Sequence, residues 1–219
     1  MADNNKTEQE FNPELYEEEE LACVESHMEK YFGKYDNVFH EIISPDIHVD
    51  IAIIEPTAER DYYILVTMGM GAHRMNTPPE LAEYKIDRAE LVVCLPADWN
   101  LKDFEDENCY WPLRWLKILA RLPGEHDTWL GWGHTVPAGE PFADNTKFSC
   151  MLLISPEDFA EGCDMCEMPD GSVVNYYQMI PLYEEEMNYK LAHDAEELLD
   201  IMDDDILVVD VKRKNYCDK

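Results

Sequence analysis

Basic residues are scarce in this chain of 219 amino acids, which contains 17 lysines and arginines against 48 aspartates and glutamates. The resulting formal charge of −31 at pH 7 repels phosphate backbones and anionic lipids and attracts cationic surfaces. We therefore predict that the protein binds neither nucleic acid nor a membrane directly. An acidic surface also favours solubility by itself, so the total charge does not identify a partner.

Long apolar runs are absent too, and so is a secretion signal. The chain has no stretch of about 18 apolar residues, the length that a membrane-spanning helix requires. Residues 1–12 lack the basic start and the apolar centre of a signal peptide, so we expect a cytoplasmic protein. Apolar residues make up 46% of the chain and aromatic residues 11%, enough to offset chain entropy and form a folded core.

The sequence motifs of common enzyme classes are missing as well. No phosphate-binding GxxxxGKS/T or GxGxxG, no GxSxG nucleophile motif and no HExxH metal motif occurs. We therefore predict a protein without enzymatic activity and without a cofactor. His134 is the best single candidate for an acid–base residue, because neighbouring glycines allow close backbone approach, but no nucleophile or orienting acid accompanies it. An enzyme that uses His134 is kept as an alternative.

Cysteines offer one suggestive spacing. The chain has seven of them, an odd number spread through otherwise ordinary segments, which favours reduced thiols over a disulfide framework. Cys163 and Cys166 form a CxxC pair, but a zinc site needs a second pair of ligands, and a redox site needs an active-site helix after a strand. Neither is visible, so we predict no metal and no redox chemistry there.

Turn residues and apolar periodicity predict helices at both ends of the chain and strands in the middle. Helices are predicted over 13–32, from Pro112 onward, over 184–193 and over 194–202. Strands are predicted over 37–43, 47–54, 61–67, 82–95, 129–136, 148–154 and 173–183. This order predicts an α+β fold, a single domain with a mixed, largely antiparallel sheet flanked by helices. The domain is predicted to span 33–215, and the acidic tail and helix in 1–32 are expected to belong to it.

Acidic residues are distributed unevenly along the chain. No lysine or arginine occurs from Phe148 through Tyr189. A one-signed surface accelerates the capture of a basic protein, and the alternative is a solvated face without a partner. Elsewhere Arg114, Lys117 and Arg121 form a basic stripe on the second predicted helix, for which we predict internal pairing or solvation and not binding of a partner. The acids of the acid-only segment are Glu157, Asp158, Glu161, Asp164, Glu167, Asp170, Glu184, Glu185 and Glu186.

A second candidate surface is the segment that contains two tryptophans and ends at His134. If this segment is a strand, strict alternation places Trp129, Gly131 and Gly133 on one face, and Trp132 and His134 on the other. Glycines remove side chains from one face and leave room for a neighbouring backbone, a helix or a partner. Packing against the protein's own helix and binding of a partner are both open.

Several short motifs occur in a characteristic order. They are Met68-Gly69-Met70, Glu90-Leu91, Leu95-Pro96-Ala97-Asp98-Trp99, Trp111-Pro112 through Leu119-Ala120-Arg121, Gly133-His134-Thr135, Met151-Leu152-Leu153, and Gln178 through Tyr183 with Glu185-Glu186. No single motif is specific, but this collinear order resembles the suppressor-of-fused domain over residues 33–215. The resemblance implies an α+β domain without known catalytic residues.

The resemblance also implies a mode of action. Animal members of this family restrain a transcription factor by binding a short peptide as an added strand between this domain and a second, C-terminal one. Bacterial stand-alone members act as immunity proteins that neutralise secreted toxins. This chain is too short for the second domain, so it is similar to the bacterial type. Trp129 keeps the family's aromatic position, whereas Gly133 and Ser155 stand where animal members have acids, so the animal peptide is not implied.

These observations predict a non-enzymatic protein-binding domain. The first hypothesis is an immunity protein that neutralises a basic toxin, such as a nuclease, by direct binding. The alternative is an intracellular regulatory protein of the suppressor-of-fused type without a toxin partner. The oligomeric state is left open. The predicted partner-binding residues are Trp129, Trp132, Gly133, His134, Ser155, Glu157, Asp158, Glu161, Glu184, Glu185 and Glu186.

Overall fold

The computed structural model describes residues 13–42, 44 and 46–218, and among them an eight-stranded sheet forms the centre of the molecule. The strands are β1 (Asn37–Phe39), β2 (Asp50–Ile54), β3 (Tyr62–Met68), β4 (Ala89–Pro96), β5 (Thr135–Pro137), β6 (Cys150–Ile154), β7 (Met165–Glu167) and β8 (Val173–Leu182). The α-helices are α1 (Glu18–Tyr31), α2 (Glu107–His126), α3 (Glu184–Ala192) and α4 (Ala195–Ile201). Short 3-10 helices cover Met70–Ala72, Pro79–Tyr84 and Asp204–Leu207. No helix in the described part of the chain is long and apolar enough to cross a membrane.

The strand order across the sheet is β1-β2-β3-β4-β8-β6-β5, and β7 pairs with the start of β8. Every neighbouring pair is antiparallel except β4 and β8, which run parallel. The parallel pair therefore joins two antiparallel halves, one built from β1 to β4 and the other from β5 to β8. The predicted α+β fold, a single domain with a mixed, largely antiparallel sheet flanked by helices, is confirmed.

Helices cover both faces of the sheet. Helix α2 lies on one face, where Leu116 and Leu119 pack with Leu65, Val93 and Met179 of the central strands. On the opposite face α1 packs over β2, β3, β4 and the start of β8. The pair α3 and α4 packs on that same face over β6 and the end of β8. Alternate side chains of the central strands thus feed cores on both faces of the sheet.

Helix α1 begins later than the sequence predicts, because the backbone before it pairs with another segment. Glu14 N donates to the Asp46 carbonyl (2.8 Å), which holds the chain extended. The helix then starts at Glu18, where Glu17 and Glu20 form a capping box and the Glu17 N–H donates to Glu20 Oε2 (3.1 Å). The prediction that this helix starts at Pro13 is therefore wrong.

Helix α2 begins at Glu107 and contains Pro112 in its interior, so the prediction that Pro112 opens this helix is wrong. Asp106 caps the helix by accepting from Asn108 N (3.0 Å). Proline lacks the N–H that the Asn108 carbonyl would accept within the helix. The side-chain amide of Asn145 donates to that carbonyl instead (3.2 Å). A contact from a distant loop therefore makes the interior proline tolerable.

The basic stripe on α2 makes internal contacts, as predicted. Arg121 pairs with Glu41 (2.6 Å), and Arg114 pairs with an acid in the first turn of the same helix (3.0 Å). The ammonium group of Lys117 lies over Phe39, 4.2 Å from the ring centroid. The stripe is therefore not a free cationic surface.

Strand β4 is shorter than the predicted strand over 82–95. A 3-10 helix occupies Pro79–Tyr84, and Lys85 after it has a left-handed φ of 52°. A proline at the first position presets the φ angle of a helical turn, and the left-handed residue ends it. The strand therefore begins only at Ala89.

The two halves of the sheet separate at one end, and the C-terminal wedge, which we define as residues 207–213, fills the gap. Strands β4 and β8 are paired over only four residues each. Beyond that point Val209 N donates to the Cys94 carbonyl (2.9 Å), and Gln178 Nε2 donates to the Leu207 carbonyl (2.7 Å). Because Val209 is 3% exposed, the wedge is part of the core.

Glu90 is a fully buried carboxylate that holds the turn after β3. It accepts from the hydroxyls of Tyr16 and Thr67 (both 2.6 Å) and from the N–H groups of Gly69 (2.9 Å) and Gly71 (3.1 Å). Burial raises the pKa of Glu90, and these hydrogen bonds oppose the rise. Two of the short sequence motifs, Met68-Gly69-Met70 and Glu90-Leu91, are therefore in contact through this carboxylate.

His27 fixes α1 to the loop that leads into β7. The residue is 8% exposed, its ring stacks on Tyr176 with centroids 4.7 Å apart, and Nε2 donates to the Cys163 carbonyl (2.9 Å). Burial lowers the pKa of His27 below its ordinary value, and Lys30 lowers it further. The neutral ring therefore belongs to the folded state.

We expect the free energy of unfolding to fall as the pH decreases from about 7 to about 5, in part because of His27. The folded pKa lies below the unfolded value of about 6.5, so this contribution is complete above about pH 6.5 and is lost as the pH falls through the folded pKa. Urea denaturation at several pH values measures the slope. His27→Gln keeps a donor and does not titrate, so its slope should be shallower. Equal slopes in the two proteins would contradict this assignment.

Candidate functional site

The segment before β5 is a turn and not the predicted strand. Gly133 has a φ of 76°, and His134 N donates to the Gly131 carbonyl (3.1 Å), which makes a turn at Trp132 and Gly133. Glycine adopts such a left-handed conformation without steric cost. The predicted alternation of side chains is therefore wrong, and the rings of Trp129 and His134 lie together with centroids 4.2 Å apart.

The two tryptophans of this segment differ in exposure. Trp129 packs against the core on the α2 face of the sheet, whereas Trp132 is 42% exposed. Gly133 lies against α4, where an added Cβ would be 3.4 Å from Ala195 Cβ. Trp132 is therefore the side chain of this turn that is best placed to meet a partner.

The surroundings of His134 favour its neutral form. Burial lowers the pKa of its ring, and the ammonium group of Lys190 lowers it further. The ring packs on Trp129 and faces the Trp129 carbonyl. Among the described residues, no acidic side chain hydrogen-bonds to it and prepares it for proton transfer.

Strand β5 forms one edge of the sheet. It pairs with β6 over Thr135–Pro137 and has no strand on its other side in the part of the chain that the structure describes. An open edge offers unpaired N–H and C=O groups to an extended peptide. Because β5 is short and ends in proline, such pairing is limited to a few residues.

The predicted partner-binding residues lie at the two ends of β6 and not on one surface. Ser155 follows β6 and lies beside the turn at Trp132, because Gly133 N donates to the Leu153 carbonyl (2.7 Å). At the other end, Cys150 pairs with Leu182, the last residue of β8, and α3 begins two residues later. A strand of five residues spans roughly 13 Å. The acids after β6 and the acids of α3 therefore form separate groups.

The acids after β6 lie on the same face of the sheet as α1. Phe159 anchors their loop by packing edge-on against Phe32, with ring centroids 4.9 Å apart. Glu157, Asp158 and Glu161 are exposed around this anchor. They present their charge to solvent.

A cleft of about 870 Å³, which we name the acidic cleft, lies at the other end of β6. The end of β5, the loop after it, the start of α3 and the C-terminal residues form its walls, and Lys147 is the one basic side chain among the described residues that line it. The sequence did not predict this cleft, because its acids come from segments far apart in the chain. The acidic residues that line it are Glu140, Asp144, Glu184, Glu185 and Asp218.

Glu186 cannot contact a partner, so its predicted role in binding is wrong. Its side chain is fully buried, and its two oxygens accept from Arg213, each at 2.6 Å. The guanidinium group also lies over the rings of Phe148 and Tyr183, 4.8 and 5.0 Å from their centroids. The cation that neutralises Glu186 thus comes from outside the acid-only segment, and the pair anchors the C-terminal wedge.

The CxxC cysteines are buried thiols. Burial raises the pKa of Cys163 and that of Cys166 to about 11, which disfavours the thiolate. Cys163 Sγ donates to the Pro156 carbonyl (3.3 Å). Within the described ranges, no three histidine, cysteine or acidic side chains are grouped so that they could hold a metal ion.

Comparison with known sequences gives two matches. A family model described as Suppressor of fused protein (SUFU) matches residues 45–214. A protein of Ureaplasma parvum, described as uncharacterized protein UU111, is 25% identical over 205 residues, which are 92% of this chain and 97% of that protein. The second match runs over nearly the full length of both proteins.

Solved structures with a similar fold come from bacteria and animals. A putative SUFU homologue from Neisseria gonorrhoeae has a TM-score of 0.64 and 18% identity, and covers 91% of this chain and 98% of that one. A chain of the Sufu–Fu complex has a TM-score of 0.65 and 11% identity, with 94% and 93% covered. Drosophila Suppressor of Fused has a TM-score of 0.56 and 11% identity, with 90% and 50% covered. At these identities the likeness shows the fold.

Proposed function

The chain belongs to the suppressor of fused family, and we propose that it is a protein-binding domain that acts by direct binding and not by catalysis. One of the similar structures is described as a Sufu–Fu complex, which supports a protein partner. The surroundings of His134, neutral and without an acid, support the absence of catalysis.

We propose further that the partner is a basic protein, and that this chain neutralises it as an immunity protein neutralises a toxin. The acidic cleft beside the open edge of β5 carries this proposal. Exposed acids such as Glu184 and Glu185 attract a cationic surface over several ångströms and increase the association rate, and they would cover a cationic active site such as that of a nuclease.

An intracellular regulatory partner, without a toxin, is the second candidate. The similarity to a chain of the Sufu–Fu complex, 93% of which is covered, favours it. Co-expression in a heterologous host separates the two candidates. A toxin partner arrests growth when expressed alone and is neutralised by this chain, whereas a regulatory partner has no such effect.

Charge reversal in the acidic cleft is expected to slow association with a basic partner recovered by pull-down. In Glu184→Lys/Glu185→Lys we expect the association rate constant at about 50 mM salt to fall roughly tenfold or more, with a flatter salt dependence. Surface plasmon resonance at several salt concentrations measures both quantities. Thermal stability should fall only slightly, because both side chains are exposed and lie where acids favour the helix dipole.

Two further variants serve as a control for net charge and as a test of the second acidic group. Glu25→Lys/Glu29→Lys changes the net charge equally on exposed positions of α1 and should leave association nearly unchanged. Glu157→Lys/Asp158→Lys/Glu161→Lys tests the loop after β6. If neither this triple variant nor the cleft variant slows association, the acidic surface serves only solubility. The proposal that this surface captures a basic partner is then wrong.

A further inference from the structure

An exposed aromatic patch lies next to β1, at the opposite edge of the sheet from β5. Phe104 is 46% exposed and contacts Phe39 and Tyr110, with ring centroids 5.0 and 6.2 Å away. We name these three aromatic residues and Lys117 the β1 patch. Strand β1 has no neighbour on its outer side among the described residues.

The β1 patch differs in charge from the acidic surface at the other edge. Lys117 covers the ring of Phe39 at 4.2 Å and has no ion-pair partner within the residues that the structure describes. Around Phe104 the turn before α2 carries Lys102, Asp103, Glu105 and Asp106, all exposed. Basic and acidic side chains thus both border the apolar centre.

We propose that a second copy of this chain docks on the β1 patch, so that the protein forms a two-fold symmetric dimer through this edge. A two-fold interface brings one patch against itself and therefore requires a self-complementary surface. With Phe104 near the axis, the Lys117 side of one copy faces the Asp103 and Glu105 side of the other. Apolar burial at the centre and opposite charges around it meet this requirement.

The acidic cleft cannot provide such an interface, because two copies of a predominantly acidic surface repel each other. Strands β1 and β5 are the two ends of the strand order. The dimer therefore leaves both clefts free, and it is compatible with any partner that binds there.

Sedimentation velocity over about 1 to 300 μM protein tests the dimer, a range suited to weak interfaces. We expect the average mass to rise from that of the 25.5 kDa monomer towards twice that value. Raising the salt concentration from about 50 to about 500 mM should strengthen the dimer severalfold, because salt screens the repulsion between two chains of charge −31 while the apolar contact persists. Capture of a basic partner has the opposite salt dependence.

Two matched variants locate the interface. Phe104→Asp should weaken the dimer at least tenfold. Leu191→Asp adds the same charge at a residue of α3 that is 63% exposed, and should leave the dimer unchanged. An unaltered circular dichroism spectrum and melting temperature show that Phe104→Asp has lost a contact and not the fold.

A third measurement uses the unmodified protein and needs no variant. Carbodiimide treatment of a mixture of ¹⁴N- and ¹⁵N-labelled protein should join Lys117 of one copy to Asp103 or Glu105 of the other. A protein that stays monomeric at every concentration and salt tested overturns the proposal. So does a dimer that lacks this cross-link, or one that Leu191→Asp weakens as much as Phe104→Asp does.

Discussion

Replacing Glu90 by alanine is expected to lower the free energy of unfolding by about 3 to 5 kcal/mol. The carboxylate accepts hydrogen bonds from two hydroxyls and two backbone N–H groups. Tyr16 and Thr67 can rotate their hydroxyls, but the N–H groups of Gly69 and Gly71 would stay buried without a partner, at about 1 to 3 kcal/mol each. Urea denaturation followed by tryptophan fluorescence measures the loss.

Two conservative variants separate hydrogen bonding from side-chain volume. Glu90→Gln keeps the volume and one acceptor oxygen, so a smaller loss of about 1 to 3 kcal/mol is expected. Thr67→Val keeps its shape and removes one donor to Glu90, together with an acceptor for Leu91 N (2.7 Å). If Glu90→Ala proves no more destabilising than Thr67→Val, Glu90 is not the centre of this contact.

Arg213→Met is expected to cost about 3 to 5 kcal/mol, because it leaves the Glu186 carboxylate buried without its counter-charge. The same substitution removes the hydrogen bond from the guanidinium to the Pro181 carbonyl (2.8 Å). Tyr183 still donates to the backbone carbonyl of residue 213 (2.6 Å), so the wedge is loosened and not released. Urea and thermal unfolding measure the change, and limited proteolysis reports on the wedge.

Comparison with two other variants isolates the ion pair. Lys214→Met removes a pair with Asp203 in which both side chains are 64% exposed, so it should lower the free energy of unfolding far less than Arg213→Met does. Glu186→Met/Arg213→Met leaves no unpaired charge and should recover part of the stability lost in the single variant. A double variant less stable than Arg213→Met would show that the other contacts of Arg213 dominate.

The central strands could be predicted from the sequence, because local patterns determine them. A strand over 173–183 was predicted, and β8 occupies Val173–Leu182. The strand predicted over 148–154 is shorter in the structure, where β6 covers Cys150–Ile154. Apolar, β-branched runs between turn residues have few alternatives to a buried strand.

The errors in predicting the fold have a common physical cause, because each depends on a contact or a backbone angle that local patterns do not encode. Proline is typical of the first turn of a helix, but Pro112 lies inside α2. Asn145 supplies there the hydrogen-bond donor that the proline lacks. The segment before β5 has the composition of a strand, but the positive φ of Gly133 turns it.

Only part of the candidate site could be predicted, because a count of charges along the chain does not show which distant segments meet in the fold. A count of charges along the chain found Glu184 and Glu185, which line the acidic cleft. It also selected Glu186, whose counter-charge Arg213 lies 27 residues further along the chain. It missed Glu140, because proximity between distant segments follows from the fold and not from local composition.

The C-terminal wedge restricts when the protein can complete its fold during synthesis on the ribosome. Translation supplies both halves of the sheet before the wedge that fills the gap between β4 and β8. Leu207, Val208 and Val209 contribute to the three different cores, so a nascent chain with all eight strands still exposes apolar side chains from each. Exposed apolar side chains of this kind make an incompletely folded chain prone to aggregation until the wedge has left the exit tunnel.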